Sequence, residues 1–388
     1  MNIEQTIEEH INQIREYYHH LHANPEISFQ EQKTAAYIYT QLSAMGMEVH
    51  QLPQNAIIGV LPGNSHKKSV GLRAELDALP ITEATGMPFA SKNAGVMHAC
   101  GHDLHMTIAL GLALILSKKD RSQIGDIVFV FQHAEEKIPG GAGDVLKSSF
   151  FQSHKPNVML ALHSFPDLKA GEIGLRGGSY MASGDEIDII INGPGGHAAL
   201  PHKTIDTVLV ASHVIVGLQQ ICSRFIPTHI PAVLTFGNIE ANSVMNIIPK
   251  RVKIEGTFRI MNEEWRSKSL QQIKKLAKGI AESAGAQCTG EIRNGYPSIF
   301  NNPEITRQAT DALKEIFAAK HIHELPLRMT TDDFGYYAQT IPSLYFRLGV
   351  AKTNGECAGL HTPEFMPEFS AVSTGIQSLY TIINKLTE

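Results

Sequence analysis

Apolar residues at positions 7, 11, 14 and 21 recur at helical spacing, so the chain is expected to open with an amphipathic helix. A second helix is expected after Pro25. Ser28 and Glu31 stand at capping-box spacing, and Gly46 offers a stop. Apolar runs then alternate with helical patterns. Strands are expected at 56–62, 69–76, 126–132 and 157–163, and helices near 103–118 and 143–152. This alternation predicts an α/β fold with a mixed, mostly parallel sheet sandwiched by helices.

The texture changes after about residue 180. The segment 185–193 alternates polar and apolar residues, as a half-exposed strand does. A helical stretch at 205–224, strands at 232–239 and 251–260 and a helix at 264–284 follow. That order predicts a small α+β unit with one open sheet face. The tail returns to α/β texture, with a helix near 303–318, a strand at 343–349 and a final helix near 370–386. One domain is therefore expected inside another: a first part at 1–182, an inserted domain at 183–287 and a second part at 288–388. No internal repeat or low-complexity stretch interrupts the pattern.

Composition narrows the classes. The formal net charge is −5 and the pI about 6.4, the opposite of the basic footprint of a nucleic-acid protein. No run of about 18 apolar residues stands out in the sequence, so no membrane partner is expected. The first 20 residues lack the basic and apolar regions of a secretory signal. The four cysteines, Cys100, Cys222, Cys288 and Cys357, are too scattered for a disulfide framework. A cytoplasmic location is expected.

Four segments carry candidate chemistry. In MHACGHDLHM (97–106), Cys100 and His102 can reach one point from a loop between a strand and a helix. Thiolate and imidazole suit zinc and similar ions, although C-x-H is a weak pattern, and a loop with a buried cysteine reads the same way. Asp103 and His105 are candidates for orienting the ligands. In FVFQHAEEKIPGGAG (129–143), an apolar strand ends in two adjacent glutamates whose side chains diverge. One can anchor a metal while the other moves a proton; a solvated turn is the competing reading. VMLALHSFP (158–166) ends a strand in His163, and GLHTPEF (359–365) carries His361. Each alone fits an ordinary structural role. Together they suggest strand ends converging on one site.

These motifs resemble a known family, the metal-dependent aminoacylases and carboxypeptidases. The similar branch holds hippurate hydrolase, auxin-conjugate hydrolases and N-acetyldiaminopimelate deacetylase. The resemblance covers nearly the whole chain. Beyond the four segments it includes RAELDALPI (73–81), GPGGHAALPH (193–202), NIIP (246–249), GTFR (256–259) and DDFGYY (332–337). It implies two divalent ions per subunit, zinc or manganese, with nickel as a further option. Cys100, His102, Glu136, His163 and His361 match the metal ligands, with Cys100 bridging. Glu135 matches the general base, and Asp77 a carboxylate that orients a metal histidine. Asn246 and Arg259 match groups that hold the substrate's carboxylate. His197 matches a histidine that reaches the partner's active site, and the inserted domain a lid through which a homodimer forms. Glu75, His133, Thr331 and Asp332 depart from the pattern: the branch has Asp, Pro, a small residue and Glu there. No departure removes a ligand or the base.

The implied activity is hydrolysis of an N-acyl amino acid, a small molecule, to a carboxylic acid and a free amino acid. The alternative within the class is a dipeptidase or carboxypeptidase. A cysteine amidase with Cys100 as nucleophile leaves the paired glutamates and the extra histidines without a role. A binding protein without catalysis needs no free carboxylate at Glu135.

Overall fold

The computed structural model describes residues 3–387. The chain forms two compact units. One is Met1–Gly178 with Phe300–Pro326 and Tyr336–Glu388, and the other is Ser179–Ile299 with Leu327–Gly335.

Several strands of the first unit come from apolar runs that bury both faces. Ile57–Leu61, Val70–Glu75 and Ile127–Gln132 are buried at every position, the mark of a sheet covered on both sides. Eight strands pair in the order Glu48–Gln51, Ile57–Leu61, Ile127–Gln132, Val70–Glu75, Val158–Lys169, Ser343–Ala351, Ile173–Leu175 and Ile322–Glu324. The four central ones are mutually parallel, and antiparallel partners flank them. The fold class is the mixed α/β one expected. Helix His102–Ser117 is apolar all round, because it packs against helices Ile3–Ala23 and Ala371–Thr387 as well as the sheet. Its side chains are buried from His102 through Leu116, which fixes its N-terminus against the strand ends.

Several local expectations change. Ser28 and Glu31 form no capping box: helix Gln32–Ala44 has Glu31 at its N-cap without a side-chain cap bond. The Ser28 hydroxyl instead donates to Asp77, and Glu31 accepts from the Phe29 and Ala134 amides. The helix expected near 143–152 is two short ones, Ala142–Lys147 and Ser149–Ser153. Ser148 between them is extended and caps the second by accepting from the Phe151 amide. His163 does not end its strand, which runs on to Lys169. The short strands Glu48–Gln51, Ile173–Leu175 and Ile322–Glu324 had no legible apolar run.

The second unit is an antiparallel sheet under two helices. The strand order is Ala232–Glu240, Arg251–Ile260, Ser183–Asn192 and Gln287–Asn294. Ile187, Ile189 and Ile191 share a core with Val210, Val214, Ile273 and Ala277 of helices Thr207–Leu218 and Glu263–Ser283. The expected boundary at 287 falls at the first residue of a strand of this sheet, and the unit continues to Ile299. Thr207–Phe225 is long and apolar enough to cross a membrane by length and composition only, with mean hydropathy 1.3. The sequence reading missed it because Ser212, His213 and Gln219 interrupt the run. Its Val210, Ala211, Val214 and Leu218 are buried in the core of the unit.

Candidate metal centre

Local chain geometry aims the donors. Gly101, at φ +85°, turns the chain from Cys100 into helix His102–Ser117. Strand Ile127–Gln132 ends at a turn through Ala134, which has a left-handed φ of 51°, and Glu135 and Glu136 follow it. His361 also has a left-handed φ, 63°, and its amide donates to the Ala99 carbonyl, tying the tail to the Cys100 segment.

The five expected ligands come together. Donor atoms of Cys100, His102 and Glu136 all lie within 4.8 Å of one another. Cys100 Sγ is 3.5 Å from His163 Nε2 and 3.3 Å from His361 Nε2. Glu136 Oε1 is 3.2 Å from His361 Nε2 and 3.9 Å from His102 Nε2. His102 Nδ1 donates to the Asp77 carbonyl at 2.8 Å, and His163 Nδ1 to the Ser164 carbonyl at 2.9 Å. His102 and His163 thus turn Nε2 toward the cluster, the atom that offers a lone pair to a cation once its proton is lost.

The cluster fits a cation. Among the described residues, buried His102 Nε2 and Glu136 Oε1 have no hydrogen-bond partner, the 3.2 Å approach of His361 to Glu136 being an ion-pair distance. Buried polar atoms are rarely left that way unless something outside the polypeptide satisfies them. Burial, and after it Glu136 and Glu135, pushes the Cys100 thiol well above its ordinary range. Burial would lower His102, but Glu75 and Asp77 outweigh it and raise it to about 10. Burial, then the Arg347 guanidinium, holds His163 well below the usual histidine range. Acidic groups therefore gather around a thiol and imidazoles, a donor set suited to zinc-like ions.

The remaining expected residues are spread over both units. Asp77 braces two donors: its carbonyl holds His102, and its Oδ2 accepts from the Glu136 amide at 2.9 Å and from Ser28 at 2.7 Å. The carboxylate expected to orient a metal histidine is also beside that ring, with Oδ1 3.5 Å from His102 Nδ1. Glu135 is buried at 7% exposure, close enough to act on Cys100. Among the described residues, the Asp103 carboxylate bonds His22 and the Leu104 amide rather than an expected ligand. Its Oδ2 lies 2.6 Å from His22 Nδ1, because the first turn of its helix faces helix Ile3–Ala23. In the second unit, His197 and Asn246 are exposed neighbours at a two-stranded ladder in which His197 pairs Ile247. Arg259 lies across from Gly184, whose missing side chain gives the guanidinium its room.

Sequence reasoning missed several supports. Glu31 was read as a cap. His22 sat unmarked among His19 and His20. Ser164 carried no signal beyond following His163.

Comparison with known proteins places the chain. Residues 71–385 match the model of peptidase family M20/M25/M40, and the chain belongs to that family. It is a hydrolase. It is 35% identical over 366 residues to an N-acetyldiaminopimelate deacetylase of Lactobacillus acidophilus, covering 93% of this chain and 94% of that one. A solved chain from methicillin-resistant Staphylococcus aureus superposes with TM-score 0.93, at 31% identity over 100% of both chains. YxeP of Bacillus subtilis, described as a dinuclear metal binding peptidase of the M20 family, gives TM-score 0.83 at 29% identity, covering 96% of this chain and 97% of that one.

Proposed function

We propose that this hydrolase cleaves the amide bond of N-acyl amino acids, releasing a carboxylic acid and a free amino acid. The observation that carries the reading is the buried donor cluster with its orphaned His102 Nε2 and Glu136 Oε1. Cys100, His102, Glu136, His163 and His361 would hold two divalent ions, zinc or manganese first. Bound there, the ions would polarise the amide carbonyl and lower the pKa of a water toward about 7.

Glu135 accepts the proton of the attacking water as its oxygen bonds to the amide carbon. When the C–N bond breaks, Glu135 passes that proton to the departing nitrogen, which leaves as a neutral amine. Arg259 and Asn246 are assigned to the substrate's carboxylate, where a guanidinium can pair in bidentate fashion. His197 is assigned to the reacting centre of a partner subunit, so the working form is a homodimer through the second unit. The free cysteines suit a reducing, cytoplasmic compartment.

The deacetylase relative supports an N-acetyl or related acyl group. The test is a screen of N-acetyl, N-benzoyl and longer N-acyl amino acids, their carboxyl amides and simple dipeptides, with enzyme reloaded with each metal. Rapid turnover of N-acyl amino acids, with weak turnover of their amides, is expected. Faster turnover of dipeptides would replace this reading with a dipeptidase.

A further inference from the structure

Beneath the donor cluster lies a chain of buried polar contacts that the hydrolytic reading does not use. Arg73 pairs with Glu75, and Glu75 Oε2 lies 2.9 Å from His105 Nδ1. On the other side of the ring, the Ser164 amide donates to His105 Nε2 at 2.8 Å. An amide can only donate, so Nε2 is the acceptor and Nδ1 carries the hydrogen given to Glu75. Both edges of His105 are thereby committed. Donor atoms of Glu75, His102, His105 and His163 do lie within 4.8 Å of one another. That grouping is nevertheless no second cation site, because His105 has no lone pair left and Glu75 is matched by Arg73.

Ser164 is the link to the centre. Its carbonyl accepts from His163 Nδ1 at 2.9 Å, and its hydroxyl donates to the Cys100 carbonyl at 2.8 Å. Gly101 leaves the space for that hydroxyl, since a Cβ there would run into Ser164 Oγ. One residue thus sets the ring orientation of one donor and the backbone of another. We propose that His105, locked in one tautomer by Glu75, is a positioning residue that clamps Ser164 and so aims His163 and Cys100. The proposal rests on the reading of those two residues as metal ligands. Partners of this kind typically change metal affinity by about 10–100-fold when lost.

Two isosteres divide the roles. In His105→Asn, the amide nitrogen can stand at the Nδ1 place and keep Glu75, but nothing reaches Ser164. In His105→Gln, the amide oxygen can stand at the Nε2 place and accept from the Ser164 amide. Zinc affinity by chelator competition and the absorption spectrum of the cobalt-loaded protein read the centre independently of turnover. The asparagine variant should bind about 10–100-fold more weakly, with a shifted cobalt–thiolate band. The glutamine variant should retain wild-type affinity and spectrum. Equal behaviour of the two variants, whether both wild-type or both impaired, overturns the clamp. If the asparagine variant does not fold, Ser164→Ala, which removes the hydroxyl bond to the Cys100 carbonyl and keeps the backbone contacts, takes its place: lower affinity and a shifted cobalt–thiolate band are expected, and an unchanged centre overturns the aiming of Cys100 through Ser164. Wild type that takes up no metal would sink the metal-centre reading and this one with it, whereas metal-replete wild type with unaffected variants removes the clamp alone.

Discussion

Glu135 and Glu136 leave the same strand end, yet the turn at Ala134 gives them separate surroundings. Glu136 has its amide on Asp77 and its Oε1 among the imidazoles. Glu136→Gln should therefore lose metal, measured as content after dialysis. Glu135→Gln should keep its metal and lose about 10²–10⁴ in rate, the usual worth of a general base. The reverse pattern would show the two assignments exchanged. Glu31, whose Oε1 accepts from the Ala134 amide, supports that turn. Burial, with the charge of Asp77 adding to it, raises the Glu31 carboxyl to about 7. A carboxyl raised in the folded state favours folding while protonated. Its contribution is therefore largest below about pH 4.5 and declines as pH rises through 7. Glu31→Gln keeps an oxygen for both amides and removes the charge. The melting-temperature advantage of wild type over this variant should shrink from pH 5 to pH 8, and an advantage that grows would contradict the raised pKa. At this scale Cys100, His102, Glu135, Glu136, His163 and His361 were readable as candidates through ordered motifs that resemble a family, and the five proposed ligands do lie close together. The supports were not readable: Ser164 and Glu31 act through backbone amides and carbonyls that no side-chain pattern encodes.

Elements were legible where burial is uniform. The apolar runs at 56–62, 69–76 and 126–132 were readable as strands, and the structure forms Ile57–Leu61, Val70–Glu75 and Ile127–Gln132 there, buried on both faces. Edge strands such as Glu48–Gln51 are mostly exposed and left no pattern to read. Asp103 was misread because a helix start offers side chains to more than one neighbour. It faces His22, whose other nitrogen lies 3.1 Å from Glu83. Two carboxylates on one ring require both nitrogens to carry hydrogens, so His22 is held as a cation that joins helix Ile3–Ala23 to helix His102–Ser117 and to the segment at Glu83. Burial would lower its pKa, but bonds and charges from Asp103 and Glu83 outweigh burial and push it to about 9. A raised histidine pKa stabilises fully below the unfolded value near 6.5 and ceases to do so as pH passes 9. His22→Gln should lower stability at pH 6.5 by about 3 kcal/mol or more, as breaking a buried ion pair does. The gap should narrow above pH 9. Denaturant melts across that range would decide, and a gap independent of pH would mean the imidazole is neutral.

At the scale of the whole molecule, the second unit presents apolar side chains to solvent. Leu209 is 52% exposed and Val216 72%, both on a helix whose opposite face is buried. An apolar surface of that kind suits a second copy of the chain, which supports the proposed homodimer. In light scattering, wild type is expected to run as a dimer and Val216→Glu to shift toward monomer, and a monomeric wild type would end the idea. The proposed role of His197 depends on the same assembly. It lies in the second unit, remote in sequence from every proposed ligand, and a two-fold axis would let each subunit lend its histidine to the other. Two inactive variants, Glu135→Gln and His197→Ala, can be mixed under conditions that exchange subunits. In a mixed dimer, the His197→Ala subunit keeps its own Glu135 and borrows an intact histidine, so its site works. The other site lacks both groups. Random pairing makes about half the dimers mixed, each with one working site, so about a quarter of wild-type activity should return. If His197 served its own subunit, no pairing could rescue either variant, and exchange confirmed by mass labelling with no recovered turnover would assign the histidine to its own chain.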